Sequence, residues 1–151
     1  MLFRSLAVIG AGDCDAHIAA RAEAVGRAIA QRGAVLLSGG LGGVMAAASR
    51  GAHEAGGLVV GVVPGPRRRT ANEHVAVEIV TNMGHARNVI LAHSADALIA
   101  VSGGYGTLSE IAVGLKMGKP VIGLGSWEIE GVFPADTPEQ AVELAVSKCG
   151  G

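Results

Sequence analysis

Short apolar runs alternate along this chain with longer, Ala-rich amphipathic stretches. "SLAVIG" precedes Ala16 to Arg32, "AVLL" precedes Val44 to Ala55, and "LVVGVV" leads through a polar loop to "VEIV". The rhythm continues with Met83 to Ala95, "ALIAV", Thr107 to Met117, "PVIGL" and Pro138 to Lys148. Apolar strands without polar interruption need cover on both faces, and alternating helices supply it. The pattern predicts an α/β fold, a Rossmann-like three-layer α/β/α sandwich with a mostly parallel sheet. Gly33 after the first helix, Gly56 and Gly57 after the second, and "GKP" at 118–120 read as helix stops. No internal repeat, low-complexity tract or linker divides residues 1–151, so one Rossmann-like domain is expected.

With 50% hydrophobic residues and a mean hydropathy of +0.44, the chain has ample material for a buried core. Aromatic residues are only 3% and Trp127 is the single tryptophan, so the core must be built from Ala, Val, Ile and Leu. Small side chains allow helices to pack closely on the sheet. Twelve basic against thirteen acidic residues give a net charge of -1. That balance provides no global field toward nucleic acid or an anionic membrane, so any anion site must be local. Cys14 and Cys149 make no disulfide framework and no zinc spacing, which fits a reducing cytoplasm. No apolar run reaches the ~18 residues of a membrane span, and the N-terminal run reads as a first strand without a signal-peptide cleavage pattern.

Three strand-to-helix loops are rich in glycine: "GAGDCD" at 10–15, "SGGLGGVM" at 38–45 and "SGGYGTLSE" at 102–110. In a doubly wound sheet all three lie at the carboxyl edge, beside helix N-termini, where backbone N–H groups can meet a phosphate without Cβ interference. Each loop alone is also a serviceable tight turn, and "GAGDCD" lacks the third glycine of a dinucleotide fingerprint. No glycine loop ends in Gly-Lys-Ser/Thr, which speaks against nucleoside triphosphate hydrolysis.

"MGHARN" at Met83 to Asn88 opens a predicted helix with Thr81 or Asn82 as its N-cap. Arg87 then stands near the positive end of the helix dipole, where an anionic partner would compensate it; a solvated face is the alternative. His85 and His93 lack metal-ligand spacing and read as polar-surface or hydrogen-bonded residues, so no protein-ligated metal is expected. Arg67, Arg68 and Arg69 read as a solvated loop and Cys14 as a small buried thiol. Thr107-Leu108-Ser109-Glu110 has the spacing of a capping box, which sets a cap against a chemical role for Glu110.

"SGGLGGVM", "MGHARN" and "SGGYGTLSE", in this order on a βα frame, resemble the LOG-like (SLOG) superfamily. That group includes cytokinin nucleoside 5′-monophosphate phosphoribohydrolases, once labelled lysine decarboxylases, and molybdenum cofactor carrier proteins. In the hydrolases the last motif reads PGGxGTxxE and the earlier one ends in Arg-Lys. Here Ser102 replaces the Pro and Asn88 the Lys; these departures, with the short length and the "MGHARN" wording, resemble the carrier-like branch more than the hydrolases. No lysine stands in a pyridoxal phosphate context.

The resemblance implies two functions for one site. One is a binding protein for a phosphate-bearing ligand, molybdenum cofactor or a nucleotide. The other is hydrolysis of a nucleoside monophosphate to base and ribose 5-phosphate, with Glu110 and Arg87 as catalytic residues. Implied ligand-binding residues are Gly12, Asp13, Gly39, Gly40, Gly42, Gly43, Arg87, Asn88, Ser102, Gly103, Gly104, Gly106, Thr107 and Glu110. A phosphate is expected at the helix N-termini after Gly43 and Gly106. A homodimer or homotetramer, with the "MGHARN" helix near a shared interface, is also implied.

Overall fold

The computed structural model describes residues 3–149. Seven strands form one all-parallel sheet in the order β4-β3-β2-β1-β5-β6-β7. The strands are β1 (Ser5–Ile9), β2 (Val35–Ser38), β3 (Val59–Val63), β4 (Val77–Val80), β5 (Ala97–Val101), β6 (Val121–Leu124) and β7 (Val132–Ala135). The helices are α1 (Ala16–Gln31), α2 (Val44–Glu54), α3 (Arg87–Ser94), α4 (Tyr105–Lys116) and α5 (Pro138–Lys148). The α/β class is as the sequence pattern predicts, and the sheet is wholly rather than mostly parallel.

Alternation within the apolar strands divides the core into two layers. Leu6 and Val8 of β1 pack with Val25, Ile29 and Ala48 of α1 and α2, and with Ala141 and Val142 of α5. Ala7 and Ile9 face the opposite way, toward Leu91 of α3 and Ile111 of α4. Helices α1 and α2 approach closely through glycine. A Cβ on Gly26 would strike the Ala48 backbone, and one on Gly51 the backbone of Glu23.

Strand β7, "VFPA", carries no period-two signal, and the sequence pattern alone does not predict it. Its register on β6, Val121 to Val132 through Leu124 to Ala135, places it at the sheet edge. There Pro134 removes no ladder donor that the sheet needs. The "MGHARN" segment also departs from expectation. A 3-10 turn covers Gly84–Ala86 and α3 proper begins only at Arg87, with no side-chain cap. Thr81 is not its N-cap: its hydroxyl donates to the Val63 carbonyl (2.8 Å) and accepts from Met83 N–H (3.2 Å), while Asn82 takes φ 51°.

Candidate functional site

The order in which strands are added reverses at β1. The connection through α1 leads to β2 on one side, whereas β5 lies on the other. The loops leaving β1 and β5 therefore diverge, and a crevice opens at the carboxyl ends of the strands. It is a cleft of about 230 Å³ lined by Gly10, Ala11, Gly12, Gly39, Met45, His85, Arg87, Asn88, Gly104, Gly106, Thr107 and Glu110.

Eight of the sequence-derived residues thus share one cavity: Gly12, Gly39, Arg87, Asn88, Gly104, Gly106, Thr107 and Glu110. The others support its walls or stand apart. Asp13, within the first loop, is exposed and does not line the cavity. Gly40 turns away, its carbonyl accepting from Asn72 N–H at 2.8 Å. Gly42 packs on the Gly12 carbonyl, and Gly43 is so close to Ala11 that no side chain would fit. Ser102, at φ 52°, accepts from the Ser126 hydroxyl at its carbonyl (2.6 Å). Gly103, at φ 115°, covers the Thr107 side chain. Met45 and His85 are lining residues that the site reading omits, although both lie inside the quoted motifs.

The three helix starts differ in what they can offer an anion. In α1 the Asp15 carboxylate already accepts from Ile18 N–H at 2.8 Å. In α2 the N–H of Val44 is donated to Ala11 and that of Ala47 to Gly43, both at 3.0 Å. Helix α4 begins at Tyr105 behind Gly104 and carries no side-chain cap. Its first intrahelical donor is Leu108 N–H, to Gly104 at 3.0 Å. The N–H groups of Tyr105, Gly106 and Thr107 find no acceptor among the described residues.

This geometry corrects the capping-box expectation. Thr107 is the third residue of α4, not its cap, so Glu110 lies in the second turn and cannot return a bond to a capping residue. Glu110 is instead buried in the cleft at 9% exposure. Burial pushes its carboxyl up to about 7, opposed by the positive charge of Arg87.

Arg87, 8% exposed, is the other buried charge. Its Nη1 donates to the Val62 carbonyl at 3.1 Å, and its Nε has no partner among the described residues. Its guanidinium lies where a Cβ of residue 39 would stand, so Gly39 admits it. Burial draws the Arg87 pKa down and Glu110 opposes this, yet an arginine stays charged at any ordinary pH. Ion pairs within 4.0 Å among the described residues are Arg27–Glu23, Arg50–Glu54 and His74–Glu73, so Arg87 and Glu110 share a cleft without direct pairing.

Arg67, Arg68 and Arg69 are exposed. Their loop is nonetheless ordered by the Glu78 carboxylate, which accepts from the N–H groups of Arg69 (2.6 Å), Thr70 (2.9 Å) and Ala71 (2.8 Å). Those bonds hold Glu78 below the usual carboxylate range. Cys14 is part-buried, and desolvation raises its thiol pKa, which disfavours a reactive thiolate. No group of three or more His, Cys, Asp or Glu residues among the described residues could hold a metal ion.

A doubly wound parallel sheet with a polar cleft at its switch point defines a Rossmann-like α/β protein. Residues 4–148 match the model of the SLOG cluster4 family, and the chain belongs to that family. An uncharacterized protein of Archaeoglobus fulgidus is 50% identical over 148 residues, 97% of each chain. Among solved structures, the molybdenum cofactor binding protein from Rippkaea orientalis superposes with a TM-score of 0.92 at 38% identity, covering 97% of this chain and 98% of its own. The molybdenum cofactor carrier protein of Chlamydomonas reinhardtii gives 0.91 at 34% identity, covering 99% and 100%. A probable cytokinin riboside 5′-monophosphate phosphoribohydrolase of Oryza sativa is 42% identical over 91 residues, 58% of this chain. That match spans 37% of the rice protein's length.

Proposed function

We propose that this protein binds the phosphate-bearing molybdenum cofactor, or a similar phosphorylated ligand, in the switch-point cleft as a carrier. The observation that carries the reading is the α4 helix start: three open N–H groups beside Arg87, whose Nε is unpaired. An anion there would meet the positive end of the helix dipole and a fixed guanidinium. The described residues would hold the ligand's phosphate and polar groups, and any molybdenum would arrive as cargo on the ligand. Full-length similarity to two proteins named for molybdenum cofactor supports the choice of ligand.

Glu110 fits this reading through its proton. With its carboxyl near 7, it is partly protonated at neutral pH, and an adjacent anion favours the protonated form further. Protonated Glu110 can donate a hydrogen bond to the ligand rather than repel it. The same property supports a second reading, hydrolysis of a nucleoside monophosphate, in which ionised Glu110 would stabilise positive charge on the ribose and help activate water.

One experiment separates the two. Purified protein is incubated with molybdenum cofactor freed from a donor enzyme, then desalted and assayed for retained molybdenum and pterin; a parallel sample receives adenosine monophosphate and is assayed for ribose 5-phosphate. Stoichiometric retention without turnover is expected. Enzyme-dependent release of ribose 5-phosphate at ordinary catalytic rates, without cofactor retention, would establish the hydrolase instead.

A further inference from the structure

We propose that the cavity over the carboxyl ends of β6 and β7 is a second ligand compartment, which takes the nucleoside of a ligand whose phosphate lies at the start of α4. The inference rests on the reading of that helix start as a phosphate site. The cavity measures about 620 Å³ and its walls include Arg21, Trp127, Ile129, Glu128, Glu130 and Asp136. Small-molecule sites run from about 300 to 1,000 Å³. The switch-point cleft, at about 230 Å³, falls below that range and has room for one end of a ligand; the larger cavity has room for a second part.

The two spaces adjoin across one short stretch of backbone. Gly104 lines the cleft, and its carbonyl accepts the Trp127 Nε1–H at 3.1 Å from the cavity wall. The Ser126 hydroxyl, also on that wall, donates to Ser102 at 2.6 Å. Gly104 and Gly106 bring no side chain to the crest between the two spaces, where a Cβ at either would meet no atom within 4 Å beyond its chain neighbours, and of this stretch the Tyr105 ring stands there alone. The unpaired N–H groups of α4 stand on this crest. A phosphate seated there could extend to either side.

The cavity's chemistry selects the second part. Glu128, Glu130 and Asp136 outnumber Arg21, so an anion is disfavoured inside, and so many carboxylates disfavour a purely apolar occupant. A neutral group rich in donors suits them. Ribose hydroxyls and the amino groups of a base can donate to carboxylates, as acidic residues accept from ribose in dinucleotide sites. Trp127 supplies a flat apolar ring, and Tyr105, 84% exposed on the crest, stacks against it with centroids 6.1 Å apart and planes 28° from parallel. The chain holds only one Trp, one Tyr and two Phe, and two of these four stand at this junction. Bases stack on such rings with little regard to sequence.

Guanosine diphosphate, adenosine diphosphate and inorganic pyrophosphate test the proposal, by calorimetry and by the emission of Trp127, the sole tryptophan. At least one nucleoside diphosphate should bind about tenfold or more tightly than pyrophosphate and quench the emission, while pyrophosphate leaves it unchanged. Trp127→Ala should bring the nucleotide down to the affinity of pyrophosphate; Trp127→Phe, which keeps a ring but loses the bond to Gly104, should keep most of the increment. Phe as damaging as Ala would assign Trp127 to holding Gly104 and overturn the compartment. Pyrophosphate binding with no added affinity from either nucleoside overturns the compartment but spares the phosphate site. Absence of binding by all three overturns both.

Discussion

A carboxyl held near 7 inside a cleft costs the folded state whenever it must ionise. In the unfolded chain Glu110 titrates near its ordinary 4.5, whereas in the fold burial raises it to about 7. Between these values the folded state keeps a proton that the unfolded state has released. Stability therefore falls as pH rises from about 4.5 to 7, by roughly 3 kcal/mol as an upper bound, and the loss is complete above that window. Glu110→Gln cannot ionise, so its melting temperature should match wild type near pH 4.5, exceed it increasingly up to about pH 7, and keep a constant margin from there to pH 8. Parallel melting curves for the two proteins across this range check the sign; a constant offset would mean that Glu110 is not buried as a titrating acid. The neighbouring pair behaves differently. Gly39→Ala would place a methyl on the Arg87 guanidinium, forcing it from Val62 at about 1–3 kcal/mol. Adding Arg87→Ala should relieve that clash, and a double-mutant cycle by denaturant unfolding should show a coupling above about 0.5 kcal/mol.

At the scale of elements, α4 differs from α1, which Asp15 caps, and from α2, whose first N–H goes to Ala11, in that the N–H groups of its first three residues are all open beside a cleft. Proline is tolerated at the first helical position, and Gly104 before it, at φ -107° and ψ -149°, lies outside the α region that a following proline disfavours. Tyr105→Pro therefore removes one open N–H without breaking the helix. It should weaken pyrophosphate binding about ten- to a hundredfold, the worth of a hydrogen bond to a charged group, whereas Tyr105→Ala, which keeps the N–H, should leave pyrophosphate affinity nearly unchanged. Calorimetry on both variants separates backbone donation from the ring.

For the whole molecule, a ligand that bridges loops from β1, β2 and β5 binds only the folded chain. At a concentration 100 times its dissociation constant it adds about 2.7 kcal/mol. For a protein of this size that is a rise of about 5–10 °C in melting temperature. Thermal melts with and without molybdenum cofactor should show it in wild type and not in Arg87→Ala. No helix among the described residues is long and apolar enough to cross a membrane.

Much of this architecture was legible in the chain because it follows from local pattern. Apolar runs long enough for a strand, amphipathic stretches between them and glycine at helix stops depend on neighbours a few residues away, and six of the seven strands and all five helices announce themselves so. Strand β7 did not, since an edge strand with Pro134 and an exposed Phe133 needs no apolar period and takes its register from β6. The site divides along the same line. Sequence marked glycine loops, Arg87 and Glu110, but not which glycines face a cleft and which fit loops together. Gly39 meets Arg87 across 48 positions, Gly43 packs on Ala11, and Asp15 and Ala11 occupy two of the three helix starts. A backbone N–H is open or closed according to what long-range packing brings within about 3 Å. Only the tertiary structure could leave α4 uncapped and bury an acid and an arginine beside it.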